Sequence, residues 1–175
     1  MMKTPRSIVL VRLSAIGDVV MFVPVIHALQ AAFPQAQLTW VISPLAYSLV
    51  SSLKGVEFLV LEKPKSVRDY YRFYQQLKHR HFDILLAAQA SFRANLLYPL
   101  IKAKQKIGYD KRRANDGHGW FVHETISPGH DHTLEGFLKF AKAAGVQQPV
   151  VQSRVPIEEK AIAWAKVNLP SGKDY

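Results

Sequence analysis

The chain has 175 residues, 49% of them hydrophobic and 21% charged, the mix of an ordinary globular domain. It has no cysteine, which excludes a disulfide framework and thiolate chemistry and fits a reducing compartment. The net charge of +10 is concentrated: residues 54–113 carry fourteen Lys/Arg against five Asp/Glu, while 1–53 carry three against one and 114–175 six against seven. Such a basic band attracts anions, whether nucleic acid, phosphorylated lipid or an anionic membrane.

Lys3 and Arg6 precede an apolar run, but Arg12 and Asp18 interrupt it and no small-residue cleavage site follows, so no signal peptide is expected. No stretch reaches the roughly 20 apolar residues that span a bilayer. The expectation is a soluble, cytoplasmic protein, at most peripheral to the inner face of the inner membrane.

Ser7 to Leu13 (SIVLVRL) is short and β-branched and predicts a buried strand. Ser14 to Asp18 predicts a tight turn. Val19 to Phe33 predicts a helix, with Pro24 in or near its first regular turn and Pro34 ending it. Leu38–Ile42 predicts a strand, Leu45–Leu53 a short helix, Val56–Leu61 a strand and Val67–His79 a helix with Tyr71, Tyr74 and Leu77 on one side. Phe82–Ala88 follows as a strand, Ser91–Ala103 as a helix and Lys106–Tyr109 as a short strand. Arg112 to Asp131, rich in Gly, His and charge, predicts a long loop or short excursions, and such loops often carry function. Thr133–Ala144 predicts a helix ended by Gly145, Val150–Pro156 a final strand with an exit linker, and Glu158–Asn168 a last helix. Strands alternating with helices imply right-handed βαβ units: an α/β, Rossmann-like parallel sheet with helices on both faces.

Ligands in such sheets bind outside the carboxyl ends of the strands, where Ser14–Asp18 lies. A helix amino-terminus there suits an anion. With a single glycine, however, the dinucleotide fingerprint fails, and no Walker lysine follows. Asp18 would itself oppose a phosphate. The dipole favours its carboxylate there, and it can accept a proton from a bound hydroxyl. The competing reading is a plain helix cap.

Residues 11–42, VRLSAIGDVVMFVPVIHALQAAFPQAQLTWVI, resemble the opening of glycosyltransferase family nine, which contains the ADP-heptose:lipopolysaccharide heptosyltransferases. The shared pattern is a strand, Ser-x-x-Gly-Asp, an apolar helix with Val-Pro, then Phe-Pro and a strand with Thr-Trp-Val. The likeness continues through His81–Gln89 (HFDILLAAQ), Lys106–Asp110 (KIGYD) and His132 ahead of a helix. Ala87, Ala90 and Ala94 depart from it, standing where the family commonly has Asp, Gly and Ser.

The resemblance implies the amino-terminal half of a two-domain glycosyltransferase-B architecture, with an acceptor-binding domain over 1–156 and a linker helix over 157–175. Full members are about twice this length, so a fragment is expected, inactive without its nucleotide-sugar domain. The implied reaction is inverting transfer of heptose from ADP-heptose to the lipopolysaccharide inner core. Asp18 is the implied base. Ser14, Gly17, Lys63, Lys65, Arg68, Gln89, Arg93, Arg113 and His132 are the implied acceptor-binding residues. No cofactor and no metal are expected: no Asp-x-Asp occurs, and His130-Asp131-His132 lacks zinc spacing.

The implied acceptor is a lipid-linked phosphorylated saccharide, which suits the basic band. Arg68 and Arg72 share a helical face. Arg93 and Lys111-Arg112-Arg113 follow strand ends, and arginine recognises carboxylate and phosphate bidentately. Contact with an anionic membrane surface is a further expectation, although many of these charges are ordinary solvated surface. Tyr70, Tyr71, Phe73 and Tyr74 read as core with some interfacial contact. Two alternatives stand: a hexosyltransferase or non-catalytic paralogue of the same family, and a basic nucleic-acid-binding α/β domain. The second lacks any nucleic-acid motif, so no nucleic-acid partner is expected.

Overall fold

The computed structural model describes residues 4–114, 116–127, 129, 133–149, 151–152, 154–155, 157 and 159–168. Six strands form one parallel sheet: β1 (Ser7–Val11), β2 (Gln37–Ile42), β3 (Val56–Val60), β4 (Phe82–Ala87), β5 (Ala103–Gly108) and β6 (Glu124–Thr125), in the order β3-β2-β1-β4-β5-β6. The strand order reverses at β1, which pairs with both β2 and β4.

The two-residue period of the strands sorts their side chains into two cores. Ile8 and Leu10 of β1, Trp40 of β2 and Ile84 and Leu86 of β4 face one way. Val9 and Val11, Val41, Leu85 and Ala87 face the other. The first face is covered by α1 (Ile16–Ala32), α2 (Pro44–Val50) and α5 (Thr133–Ala143), where Phe22 of α1 packs on Phe137 and Phe140 of α5 at 5.2 and 5.9 Å. The second is covered by α3 (Val67–Leu77), α4 (Phe92–Asn95) and the 3-10 turn Tyr98–Leu100. A last helix, α6 (Glu159–Asn168), has no buried residue.

The doubly covered parallel sheet is as expected, and several boundaries are not. α1 starts at Ile16, three residues early, so Pro24 lies in mid-helix rather than in its first turn. The helix expected over Ser91–Ala103 is only the four residues of α4 plus a 3-10 turn, because Pro99 has no N–H to continue it. β5 begins at Ala103 rather than Lys106, since the whole of AKQKIG lies alongside β4. The segment Arg112–Asp131 contains the 3-10 turn His118–Trp120 and β6. The strand expected over Val150–Pro156 is absent among its described residues, and β6 is the last strand instead.

No helix among the described residues is long and apolar enough to cross a membrane.

Candidate functional site

At the carboxyl edge of the sheet β1 runs into Arg12, a charge with only 8% of its surface exposed. A guanidinium buried there must find partners. Its Nη1 donates to the carbonyl of Ala88 at 2.5 Å and to the hydroxyl of Tyr109 at 3.2 Å, and its Nη2 donates to the carboxylate of Asp18. The group lies 5.1 Å from the centre of the Phe137 ring. The Tyr109 hydroxyl donates in turn to Ala88 O at 3.1 Å. Burial raises the Tyr109 hydroxyl above its ordinary value, with the charge of Arg12 pulling the other way.

Asp18 is therefore not a helix cap. The cap position of α1 is Ala15, and Asp18 is the third helical residue, its carboxylate turned to Arg12. Its side chain keeps 32% of its surface accessible, enough to meet a ligand.

Gln89 holds the turn between β1 and α1. Its Oε1 accepts from the backbone N–H of Leu13 at 2.7 Å and of Ser14 at 3.3 Å, and its Nε2 donates to the Ser14 hydroxyl at 3.2 Å. The Tyr98 hydroxyl donates to Gln89 O at 2.5 Å, fixing the backbone below. Gln89 thus acts on the site largely through the turn that it shapes.

Two hollows flank this turn. The larger, about 830 Å³, is lined by Ser14, Gly17, Lys63 and Lys65 together with Ser43 and Leu45. The smaller, about 360 Å³, is lined by Lys63, Gln89, Arg93, Ser91 and Phe92. Lys63 stands between them, so six of the expected acceptor residues meet at one edge, where the strand order reverses. Asp18 lines neither hollow and stands beside them on the α5 side. A third hollow of about 830 Å³ lies at the opposite, amino edge of the sheet. Its charges serve the framework: Lys104 bonds Asp83 at 2.6 Å and Gln105 bonds Glu124 at 2.8 Å. The Lys104 bond and the Arg6 N–H hold the Asp83 carboxyl down at about 2.

The remaining expected residues are placed differently. Arg68 is exposed on the first turn of α3, outside both hollows. Arg113 is taken up by Asp110 at 2.5 Å and by the carbonyl of Ser127 at 2.9 Å. Burial works against the Asp110 carboxylate, yet the bonds from Arg113 and the Arg112 N–H hold its pKa below the ordinary value. His132, with His130 and Asp131, lies outside the described residues. Ala87 is fully buried and pairs with Val11, and neither it nor Ala90 lines a hollow. Those two departures fall on the framework of the site, whereas Ala94 lines the smaller hollow. No cluster of three or more metal-ligating side chains occurs among the described residues.

Four further residues carry the site. Arg12 was legible as a charge inside an otherwise apolar strand. Tyr109, Asn95 and His118 had no such mark. His118 is fully buried, accepts at Nε2 from Tyr109 N at 3.1 Å and meets Asn95 Oδ1 through Nδ1 at 2.8 Å. Burial lowers its pKa to about 4. The loop after β5 is thereby locked to α4.

Residues 70–175 match the model of glycosyltransferase family 9 (heptosyltransferase). Over 145 residues, 82% of the chain, the sequence is 36% identical to the lipopolysaccharide core heptosyltransferase OpsX of Haemophilus influenzae, of which it spans 42%. The fold is similar to that of a Veillonella parvula family 9 glycosyltransferase, at TM-score 0.78 and 18% identity, with 92% of this chain covering 47% of that one. It is also similar to E. coli heptosyltransferase WaaC with ADP, at TM-score 0.68 and 22% identity, covering 85% of this chain and 51% of that one. The chain thus spans about half the length of these proteins, and it belongs to glycosyltransferase family 9.

Proposed function

We propose that this chain is the acceptor-binding half of an enzyme that transfers heptose from ADP-heptose to the lipopolysaccharide inner core, with Asp18 as the general base. The observation that carries the reading is the meeting, at one sheet edge, of a carboxylate held by Arg12 with hollows lined by Lys63, Lys65 and Arg93. The cations suit a phosphorylated, carboxylate-bearing saccharide. The name of the H. influenzae relative, a lipopolysaccharide core heptosyltransferase, supports heptose as the sugar and the lipopolysaccharide core as the destination.

In this mechanism Asp18 takes the proton of an acceptor hydroxyl within about 2.6–3.2 Å, directly or through one water. The freed oxygen pair forms the bond to the anomeric carbon, inverting it, while the bond to the diphosphate breaks and ADP leaves with the electron pair. Donors in the other half of the enzyme stabilise that leaving charge. The acceptor is lipid-linked, so the enzyme works at a membrane surface, in this reading the inner face of the inner membrane.

The test is a transfer assay of the full-length protein with ADP-heptose and delipidated inner-core acceptor, alongside the 175-residue chain alone. Asp18→Asn keeps an oxygen for Arg12 but removes the base, and should lower transfer by roughly two to four orders of magnitude, with acceptor binding retained. Transfer by wild type that survives Asp18→Asn would remove Asp18 from the mechanism. No transfer to any inner-core acceptor would overturn the heptosyltransferase reading.

A further inference from the structure

Nine large apolar side chains are exposed among the described residues of 4–149. Four of them gather on the α3 and α4 side: Val67 and Tyr71 on α3, Phe92 on α4, and Trp120 in the loop after β5. Trp120 is 88% exposed and Phe92 61%. Exposed aromatic groups in such a concentration mark an interaction surface.

Hydrogen bonds tie the three segments together. The Tyr70 hydroxyl donates to the carbonyl of Arg93 at 3.2 Å, joining α3 to α4. The Phe92 N–H donates to the Asp116 carboxylate at 2.9 Å, and Asn95 Nδ2 donates to Asp116 O at 3.0 Å, joining α4 to the loop. His118, two residues before Trp120, is anchored on Asn95. Trp120 is thus presented on a braced support.

The charges of this corner are mostly positive. Arg68 and Arg72 flank the apolar residues of α3, Arg93 follows Phe92, and Lys111 and Arg112 precede Trp120 in its loop. None of these five makes an ion pair among the described residues. The two carboxylates nearby are engaged by backbone: Asp69 accepts from the N–H groups of Lys65 and Ser66, and Asp116 from that of Phe92. An apolar, aromatic surface ringed by unpaired cations complements an anionic plane into which rings can sink.

We propose that this corner is the face by which the protein rests on an anionic lipid bilayer. Phe92, Tyr71 and Trp120 enter the headgroup region, and Arg68, Arg72, Arg93, Lys111 and Arg112 meet lipid phosphates. The proposal builds on the reading of a membrane-borne acceptor and names the surface. Phe92 and Arg93 also line the smaller hollow, so a lipid-linked saccharide reaches the site along the same edge.

The test uses the chain in a Trp164→Phe background, leaving Trp120 and the buried Trp40 as its tryptophans. It should sediment with phosphatidylglycerol-containing vesicles and not with pure phosphatidylcholine, and release at high salt. Brominated acyl chains should quench Trp120. Trp120→Ser and the pair Arg68→Glu with Arg112→Glu should each weaken binding roughly tenfold or more. Absence of vesicle binding, binding without quenching, or salt-sensitive binding to nucleic acid instead would overturn the proposal. In the full-length protein, Trp120→Ser should still transfer sugar to the delipidated acceptor. Normal transfer with no vesicle binding by the wild type would sink the membrane face alone, whereas vesicle binding without transfer would sink the enzymatic reading alone.

Discussion

The guanidinium of Arg12 and the carboxylate of Asp18 are one buried-to-exposed ion pair: Arg12 is sealed beneath Phe137, and Asp18 carries the charge to the surface of the site. Arg12 also holds Ala88 and Tyr109, so three strands and α1 converge on one side chain. Its loss would leave the Asp18 carboxylate without its cation and the Ala88 carbonyl with the Tyr109 hydroxyl as its remaining side-chain donor.

Arg12→Leu leaves only a part-solvated carboxylate and should destabilise the fold by about 1–3 kcal/mol. Asp18→Ala should cost at least as much, because it leaves the buried guanidinium with neutral acceptors alone. Urea denaturation of both single variants and the double variant measures the coupling, and additive effects would show that the pair is not an energetic unit. In the full-length enzyme Arg12→Lys keeps the charge without the fork. Transfer should then fall roughly tenfold through a misplaced base, in kcat more than in KM, whereas a change in KM alone would make Arg12 a binding residue.

Gln89 predicts a different pattern. Gln89→Leu leaves the N–H groups of Leu13 and Ser14 without their acceptor, at about 1–3 kcal/mol for each that stays buried. Gln89→Glu still offers oxygens to both and should recover most of that stability. Thermal melts of the two variants decide the point: equal losses would mean that the side chain's bulk, not its acceptor, holds the turn.

The architecture was legible because its signals repeat. The alternation of Ile8, Val9, Leu10 and Val11 marks a strand covered on both faces, and the apolar run through Phe22, Val25 and Leu29 marks a helix buried along much of its length. Asp18 and the basic residues were legible as chemistry placed at strand ends. What stayed hidden depends on contacts far apart in sequence. Beyond its pair with Asp18, Arg12 takes its partners from Ala88, Tyr109 and Phe137, 76 residues or more away. β6 has only two residues, and pairing with Ile107 and Gly108 defines it where no two-residue pattern can. Arg113 was expected to meet the acceptor, but Asp110 and the carbonyl of Ser127 engage it, partners that its place in the sequence did not mark.

His118 makes stability pH-dependent. Its pKa of about 4 in the folded chain lies below the ordinary 6.5, so the unfolded chain binds the extra proton first. The contribution is complete above pH 6.5, shrinks as the pH falls toward 4, and amounts to about 3 kcal/mol across that window. Denaturant unfolding between pH 7 and 4 should show this slope. His118→Leu should abolish that part of the slope while losing stability at pH 7, where the Tyr109 N–H is left without its acceptor. An unchanged slope in His118→Leu would assign the pH dependence elsewhere.

Gly108 tolerates no side chain. A Cβ there would run into His118 Nε2 and lie 2.6 Å from a methyl of Val122. The imidazole cannot retreat, because Asn95 holds its other nitrogen, and Val122 is packed beneath the same loop. Gly108→Ala should therefore push His118 off the Tyr109 N–H and loosen the loop carrying Asp116 and Trp120, at about 1–3 kcal/mol for overpacking a closed core. Hydrogen exchange is the sensitive measurement: the Tyr109 amide should exchange much faster in the variant, while Leu10 and Leu85 in the central strands stay protected. Uniform acceleration across the sheet would instead mean that the loop and the sheet open as a single unit.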